Sequence, residues 1–268
     1  MSRLEARFAR LSEQNSKALL AYIVAGDPVP SMTVDLMHDL VRAGVNAIEL
    51  GVPFSDPEAE GPVIQLAHER ALSHGVSLTD CLDMVAEFRV KDQVTPVILM
   101  GYLNPIEAMG YEDFARRASV AGVDGVIIVN LPPEEAGDLH STLTASAIDL
   151  VYLLAPTTTD ERAALICSAS SGFVYYVSLK GTTGAATIDV NDVAEKLNRF
   201  RSLSTLPVMV GFGISNGETA ASVANYSDGV AVGSAIVNLM GIHQKDYAEM
   251  SRSITRLVSE IRQTLDAC

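Results

Sequence analysis

The sequence predicts an α/β fold, a (β/α)8 TIM barrel with an extra N-terminal helix, built as a single domain over residues 1–268. Eight short apolar runs alternate with helical patterns, at about 33 residues per unit, which matches a barrel of about 250 residues. The runs are apolar almost throughout, as is typical of strands buried on both faces of a parallel sheet. They are Leu19–Val24, Ala47–Leu50, Val97–Met100, Gly125–Val129, Leu150–Leu154, Val174–Val177, Val208–Val210 and Gly229–Val232.

Helix-start signals support this alternation. Ser77 followed by Asp80, and Thr159 followed by Asp160, place a capping side chain and an acidic residue at the start of a helix. Residues 2–14 predict the additional helix, which would close the bottom of the barrel because its apolar side chains recur three or four residues apart. These side chains are Leu4, Phe8 and Leu11.

A doubly wound open sheet is the alternative architecture for alternating strands and helices. Its signature is a GxGxxG turn directly after the first strand, where the backbone approaches a dinucleotide. Here the first strand is followed by Ala25-Gly26-Asp27-Pro28, which lacks that pattern. The sequence therefore favours the barrel over the open sheet.

Charge and cysteine content limit the possible partners. Lys and Arg total 19 while Asp and Glu total 33, which gives a net charge of −14. This balance disfavours nucleic acid and anionic membrane, because binding to both depends on basic side chains. No apolar run reaches about 18 residues, so no membrane span is predicted. The N-terminus has no secretory pattern. The number of cysteines is odd and their spacing is not that of metal ligands; they are Cys81, Cys167 and Cys268. We therefore expect a reducing, cytoplasmic location.

The first candidate for chemistry is Glu49, a lone carboxylate in the otherwise apolar second strand. In a barrel, catalytic groups lie at the carboxyl ends of the strands and in the loops that follow. Burial raises the pKa of a carboxyl towards neutrality, which suits an acid and base catalyst. The alternative is a structural glutamate held by a salt bridge or by backbone amides. The next loop adds Asp56, Glu58 and Glu60, which would raise the pKa of Glu49 further if they folded over it.

Glycines after three successive strands predict a phosphate site. They lie in Ser178–Ala185, Gly211–Ser215 and Gly233–Val237, the last of which opens a helix. Backbone amides and helix N-termini at the loops after the last strands hold phosphate groups in many barrels. A single glycine also serves a tight turn, but glycines on three loops favour an anion site.

The remaining titratable side chains indicate packing more than chemistry. The histidines are scattered over helical segments, so we interpret them as surface or helix-packing residues and expect no metal site. They are His38, His68, His74, His140 and His243. Tyr175 and Tyr176 are adjacent in the sixth strand, so one faces the barrel interior and the other faces the helices.

Taken together, these runs resemble the tryptophan synthase α-subunit family. The most specific segment is Glu49–Pro57, which reads ELGVPFSDP and is continued by Gly61-Pro62 and Gln65. The resemblance extends over the whole chain. Its further segments are Gly26–Pro28, Gly101–Pro105, Leu131–Glu135, Gly181 with Thr183-Gly184, Gly211–Ser215 and Gly233–Val237.

The resemblance implies a carbon–carbon lyase of tryptophan biosynthesis that cleaves indole-3-glycerol phosphate to indole and glyceraldehyde 3-phosphate. It implies no cofactor in this chain, and a β-subunit partner that carries pyridoxal phosphate and consumes the indole, in an α2β2 heterotetramer. The residues fit this retro-aldol chemistry. One carboxyl poised near neutrality, such as Glu49, can protonate indole C3 and then remove the proton from the side-chain hydroxyl.

The resemblance also assigns roles to individual residues. Glu60 would be the second catalytic carboxylate, near the indole N–H. The substrate-binding residues would be Tyr22, Tyr175, Thr183, Gly184, Gly213, Gly233 and Ser234. The residues in contact with the β-subunit would be Asp56, Asn104 and Pro132.

Three positions depart from the family pattern. Glu60 stands where the family has an aspartate, and its extra methylene matters because misplacing a catalytic group by about 1 Å can cost on the order of 10²-fold in rate. We expect the loop backbone to compensate. Asn130 stands where an aspartate is usual in the family, and the lost charge puts an inter-loop or inter-subunit contact in doubt. Thr182 stands where a small apolar residue is usual.

Three other functions remain open at this stage. A Schiff-base aldolase would use Lys180 as its nucleophile, although a Gly/Thr loop does not desolvate a lysine as such chemistry requires. A site impaired by Glu60 would leave the chain as an allosteric effector of its β partner. Another phosphate-binding barrel, such as an isomerase of the same pathway, would share the glycine loops but not the Glu49–Pro57 segment.

Overall fold

The computed structural model describes residues 2–177, 190–211 and 213–268. In these ranges all the strands are parallel and belong to one sheet. They are β1 (Ala18–Val24), β2 (Ala47–Gly51), β3 (Val97–Gly101), β4 (Gly125–Ile128), β5 (Asp149–Val151), β6 (Leu153–Leu154), β7 (Val174–Val177), β8 (Val208–Gly211) and β9 (Gly229–Val232). Their order in the sheet is β5-β4-β3-β2-β1-β9-β8-β7-β6.

The sheet closes through its two shortest strands. β5 pairs with β4, whereas β6 pairs with β7, and only Tyr152 separates β5 from β6. The Tyr175 amide donates to the Tyr152 carbonyl at 3.2 Å, so this residue bridges the two halves. The single run predicted over 150–154 is therefore one interrupted strand that joins both ends of the sheet. The barrel prediction is confirmed, with eight strand positions around the ring.

Helices separate the strands and form the outer layer. They are α1 (Arg3–Glu13), α2 (Thr33–Arg42), α3 (Pro62–Ser73), α4 (Leu78–Arg89), α5 (Leu103–Met109), α6 (Tyr111–Ala121), α7 (Gly137–Ala145), α8 (Asp160–Ala169), α9 (Val190–Arg201), α10 (Gly217–Ala224), α11 (Ser234–Ile242) and α12 (Tyr247–Asp266). Ser77 and Asp80 form the capping box of α4, and the Thr159 hydroxyl accepts the first-turn amide of α8, so both predicted starts are confirmed.

The extra N-terminal helix lies where the sequence predicts it. Leu4, Phe8 and Leu11 are the buried residues of α1. The Phe8 and Phe173 rings meet edge to face with centroids 5.6 Å apart, just before β7 begins. A side chain at Gly125, the first residue of β4, would come within 3.1 Å of Leu4. Because these contacts are at the amino ends of the strands, α1 closes the bottom of the barrel.

The remaining expectations concern membrane, metal and disulfide. Within the described ranges, no helix combines the length and apolar character needed to cross a membrane. The same ranges contain no group of three or more His, Cys, Asp or Glu side chains that could hold a metal ion. Cys81, Cys167 and Cys268 are all free thiols.

Candidate active site

A cavity of about 610 Å³ opens at the carboxyl ends of the strands. This is the end at which barrel enzymes place their active sites, and a volume of this size accommodates a small phosphorylated ligand. Its walls come from five strands, the loop after β2, the loop after β8 and helices α3, α11 and α12. The lining residues from the strands are Tyr22, Glu49, Met100, Tyr175 and Ala231.

Glu49 lies in the wall of this cavity and is completely shielded from solvent, with 0% exposure. The parallel register places it beside Tyr22 of β1 and Ile98 of β3. Side chains alternate across a strand, so the flanking Ile48 and Leu50 face the helices when Glu49 faces the interior. The sequence shows Glu49 as the one charged residue of an apolar strand, and the structure places its side chain on the inner face of that strand.

The surroundings of Glu49 favour its protonated form. Burial, with a smaller contribution from the negative charge of Glu60, raises the pKa of Glu49 from 4.5 to about 8. The Tyr175 hydroxyl lowers this pKa in part, although neither Glu49 oxygen has a hydrogen bond of good geometry to the described part of the chain. No ion pair to Glu49 occurs there either. The carboxyl is therefore poised near neutrality, as an acid–base catalyst must be.

Glu60 reaches the same cavity from the loop after β2 and is 8% exposed. Burial raises the pKa of Glu60 from 4.5 to about 7. Its backbone is fixed on both sides, since its amide donates to the Pro57 carbonyl at 3.0 Å and its carbonyl accepts from Gln65 Nε2 at 2.9 Å. Of the three loop carboxylates that would raise the pKa of Glu49 if they folded over it, Glu60 reaches the cavity, whereas Asp56 and Glu58 are exposed.

Aromatic contacts hold the loop over the cavity. The rings of Phe54 and Tyr102 stack with centroids 5.0 Å apart. The Tyr102 hydroxyl accepts the Ala59 amide at 3.0 Å, one residue before Glu60. His68 on α3 accepts the Phe54 amide at Nδ1, 3.0 Å away. Sequence reasoning missed Tyr102 and His68 as neighbours of the site, since an isolated tyrosine and a helical histidine carry no signal until the loop is placed.

Tyr22 and Tyr175 both face the cavity, as the resemblance implies. Tyr176 points away from the cavity and packs against Phe200 of α9, with ring centroids 5.8 Å apart, so the structure decides which of the two adjacent tyrosines faces inward. Burial and the charges of the two glutamates raise the pKa of Tyr22 and Tyr175 well above 10, so both hydroxyls keep their protons at neutral pH.

Two strand-end glycines make room for these hydroxyls. A Cβ atom at Gly51 would lie 2.4 Å from the Tyr22 hydroxyl oxygen, and one at Gly211 would lie 2.2 Å from that of Tyr175. Both distances are far inside van der Waals contact. The glycines at the ends of β2 and β8 thus serve close approach of an aromatic side chain, a use that the sequence pattern alone does not distinguish from a turn.

Gly213, Gly233 and Ser234 line the opposite wall of the cavity. Gly213 has a φ of +78°, a backbone conformation that residues with a side chain rarely adopt. Gly233 is the N-cap of α11 and Ser234 is its first residue, so the first-turn amides of this helix lie at the cavity wall. This combination offers backbone donors and the positive end of a helix dipole to an anion.

Several residues of the sequence prediction lie outside the described residues. They are Lys180, Thr182, Thr183 and Gly184, which follow β7 in the sequence.

The three residues expected at the subunit contact are all exposed, and each follows the carboxyl end of a strand. Asp56 follows β2, Asn104 follows β3 and Pro132 follows β4. Asn130 links two of these loops, because its Oδ1 accepts the Leu103 amide at 2.9 Å. Its Nδ2 also lies 3.5 Å from Asn104 Oδ1. The side-chain amide of Asn130 therefore links the end of β4 to the start of α5.

Comparison with known proteins agrees with this geometry. The sequence model of the family described as tryptophan synthase alpha chain matches residues 8–266. The tryptophan synthase alpha chain of Marinobacter nauticus is 57% identical over 267 residues, covering 100% of this chain and 99% of its own.

Solved structures give the same result. The crystal structure of tryptophan synthase subunit alpha from Legionella pneumophila superposes with a TM-score of 0.94 at 44% identity, over 100% of both chains. A tryptophan synthase complex from Pyrococcus furiosus contains a chain with a TM-score of 0.82 at 36% identity, covering 92% of this chain and 98% of that one. The chain therefore belongs to the tryptophan synthase alpha chain family, the lyases that cleave indole-3-glycerol phosphate to indole and glyceraldehyde 3-phosphate in tryptophan biosynthesis.

Proposed function

We propose that Glu49 is the acid–base catalyst with which this chain cleaves indole-3-glycerol phosphate. The observation that carries the proposal is a fully buried carboxyl on the cavity wall, with a pKa raised to about 8 and without an ion pair to the described part of the chain. Such a group is mostly protonated at pH 7 and can release and recover a proton within one turnover.

The proposed reaction has two proton transfers. Protonated Glu49 first donates to indole C3, which gives the C3-protonated indolenine cation, with its positive charge on the ring nitrogen, and leaves a carboxylate on Glu49. The carboxylate then removes the proton of the hydroxyl on the adjacent carbon. The electron pair of that O–H bond forms the carbonyl of glyceraldehyde 3-phosphate, the C–C bond breaks, and its electrons restore the aromatic indole. Glu49 ends the cycle protonated, as it began.

Glu60 is the proposed second carboxylate, which stabilises the positive charge on the ring nitrogen of the indolenine. Its position in the same cavity as Glu49 supports this role. The backbone contacts of Glu60 with Pro57 and Gln65 supply the fixed geometry that such a role needs. These contacts fix the backbone that carries the longer side chain, and compensation for its extra methylene stays a prediction.

The substrate would lie between the two sides of the cavity. Gly213, Gly233 and Ser234 would bind the phosphate through backbone amides at the start of α11, together with Thr183 and Gly184 from the loop after β7.

The tyrosines would bind the organic part of the substrate. Tyr22 and Tyr175 would contact the indole and its side chain, because both rings line the wall that carries Glu49.

Asp56, Asn104 and Pro132 would contact the β-subunit, which would carry the pyridoxal phosphate and consume the indole. Their exposure in the segments that follow β2, β3 and β4 supports this, because these segments lie at the end of the barrel where the cavity opens. The relative from Pyrococcus furiosus is described as a complex. We further propose that the chain forms a single domain over residues 1–268 and that it is cytoplasmic. With the β-subunit it would assemble as an α2β2 heterotetramer.

The decisive experiment measures indole release from indole-3-glycerol phosphate by the wild type and by Glu49→Gln, with and without the β-subunit. We expect the variant to lose turnover and to retain binding of glycerol 3-phosphate. Glu58→Gln is the matched control, because it removes an exposed carboxylate from the loop that carries Glu60. Retained turnover in Glu49→Gln, or covalent trapping of substrate on Lys180 by borohydride, would reject the proposed role.

A further inference from the structure

The most informative contact outside the assigned residues is made by His68. This residue lies on α3 and is 2% exposed, so its ring is removed from water. Its Nδ1 is 3.0 Å from the amide nitrogen of Phe54, and its Nε2 is 3.3 Å from the hydroxyl oxygen of Tyr22. One buried ring therefore contacts both the loop that carries Glu60 and a side chain of the cavity wall.

The backbone contact determines which ring nitrogen of His68 carries the proton. An amide N–H can only donate, so Nδ1 accepts from Phe54 and must have its lone pair free. Burial lowers the pKa of His68 to about 4, so the ring is neutral at pH 7 and holds one proton. That proton is on Nε2, which consequently donates to the oxygen of Tyr22.

This assignment fixes the direction of the Tyr22 hydroxyl. Because its oxygen accepts from His68, its own proton is available to another acceptor, and the described residues give this hydroxyl no second hydrogen bond. The oxygen also lies against Gly51, where a Cβ would be 2.4 Å away, so the phenol has no room to retreat towards β2. The remaining direction is the cavity that Tyr22 lines.

The substrate has few groups that could accept this proton. The indole ring offers an N–H donor and no in-plane acceptor, so the acceptors are the glycerol and phosphate oxygens. The Cβ of Tyr22 lies on the Gly233 side, whereas its hydroxyl lies on the Gly51 side, beside Glu49. The hydroxyl therefore faces the part of the cavity where the glycerol hydroxyls would meet Glu49.

We propose that His68 is a positioning residue for this reaction: it aims the Tyr22 hydroxyl at the glycerol oxygens of the substrate and fixes the start of the loop that carries Glu60. The inference rests on the proposed use of the Glu49 cavity as the substrate site. It adds a specificity contact, since a donor held in one direction favours substrates with an oxygen at that point.

Two substitutions separate the functions of the two ring nitrogens. In His68→Asn the side-chain oxygen is two bonds from Cβ, as Nδ1 is, so it can accept from Phe54 but cannot reach Tyr22. In His68→Gln the side-chain nitrogen is three bonds from Cβ, as Nε2 is, so it can donate to Tyr22 but leaves the Phe54 amide without its acceptor. Tyr22→Phe removes the hydroxyl itself, and His74→Gln is the control, an exposed histidine at the end of the same helix.

Steady-state kinetics with indole-3-glycerol phosphate test the inference. Tyr22→Phe and His68→Asn should each raise KM by about threefold to tenfold, the worth of one neutral hydrogen bond, with little change in kcat. The double variant should be no worse than either single variant, because both remove the same contact. His68→Gln should instead lower kcat, since it loosens the loop that carries Glu60.

A substrate analogue provides the second readout. An indole joined to phosphate through a three-carbon chain without hydroxyl groups should bind Tyr22→Phe and wild type with the same Kd, measured by calorimetry. This comparison uses Tyr22→Phe alone, so it remains available if a His68 variant fails to fold. Multiplicative effects in the double variant, or an equal loss of affinity for the hydroxyl-free analogue, would overturn the inference.

The experiments on His68 and Tyr22 can fail independently of the experiment on Glu49. Turnover that persists in Glu49→Gln would reject the acid–base assignment whatever the histidine variants do. Loss of turnover in Glu49→Gln, combined with unchanged KM in Tyr22→Phe and His68→Asn, would retain the assignment and reject the role of His68.

Discussion

Glu49 should make the folded chain less stable as the pH rises, and its replacement by glutamine should remove that dependence. The pKa of Glu49 is raised from 4.5 to about 8 by burial and by Glu60. Between these two pH values the folded chain keeps the Glu49 proton while the unfolded chain has lost it. The folded state thus binds more protons, and the free energy of unfolding falls with rising pH.

The size of the effect follows from the pKa shift. One pKa unit corresponds to about 1.4 kcal/mol, so Glu49 should lower the stability of the wild type by about 2 kcal/mol between pH 5 and pH 7. The loss should level off above pH 8, where both states are ionised. Glu49→Gln has no proton to lose. Any cost of burying the amide does not change with pH, so it leaves the pH dependence of the difference unaffected.

Urea unfolding followed by circular dichroism at pH 5, 6, 7 and 8 measures this difference. The free energy of unfolding of Glu49→Gln, relative to that of the wild type, should rise by about 2 kcal/mol from pH 5 to pH 7. The same change corresponds to about 4–8 °C in Tm. The control Glu58→Gln alters an exposed carboxylate that water solvates in both states, so its difference from the wild type should stay constant. If the difference in free energy of unfolding between Glu49→Gln and the wild type also stays constant with pH, Glu49 is not a buried carboxyl that is neutral at pH 7.

Three further predictions concern the geometry of the cavity. Gly211→Ala should lower kcat/KM on the order of tenfold in the indole-release assay, because its methyl group would displace the Tyr175 hydroxyl; unchanged kinetics would show that this tyrosine does not contribute. Glu60→Asp should keep or raise kcat in the same assay, and a collapse would show that the loop backbone has adapted to the longer side chain. Gly213→Val should raise KM before it affects kcat, since it alters the proposed phosphate site at a φ of +78°; an unchanged KM would remove this glycine from that site.

The strands and their order in the chain are readily predicted from the sequence. β7 and β9 begin and end at the predicted residues, because continuous apolar runs such as Val174–Val177 fit only a sheet covered on both faces. The interruption at Tyr152 was not predicted. It arises where one strand changes its hydrogen-bonding partner from β4 to β7, and this depends on barrel closure and not on local composition.

The two catalytic candidates illustrate where sequence reasoning succeeds and where it ends. Glu49 is conspicuous because a charge in an apolar strand requires an explanation. Glu60 is one of several acidic residues in its loop, and the resemblance, not the pattern, singles it out. His68 has no sequence signal at all, since its importance depends on α3 bringing its ring between Tyr22 and the Phe54 amide.

The buried acids of the chain divide into two kinds, and the division supports the proposed mechanism. Asp27, Asp39 and Asp124 are buried outside the cavity, and each is ion-paired with an arginine. Glu49 and Glu60 are also buried, but in the described part of the chain neither has a cationic partner. An arginine at either position would keep the carboxyl ionised and prevent it from donating a proton.

Neutral hydrogen bonds, rather than ion pairs, hold the loop beside Glu49 and Glu60. Tyr102, His68 and Gln65 hold the loop backbone with hydrogen bonds that add no positive charge, since the phenol keeps its proton and the imidazole is neutral. The loop can therefore be fixed over Glu49 without neutralising it. A protonated imidazole at His68 would have no lone pair to accept the Phe54 amide, and its charge would lower the pKa of both glutamates. A histidine whose pKa is depressed by burial avoids both effects, and this is why it suits the site.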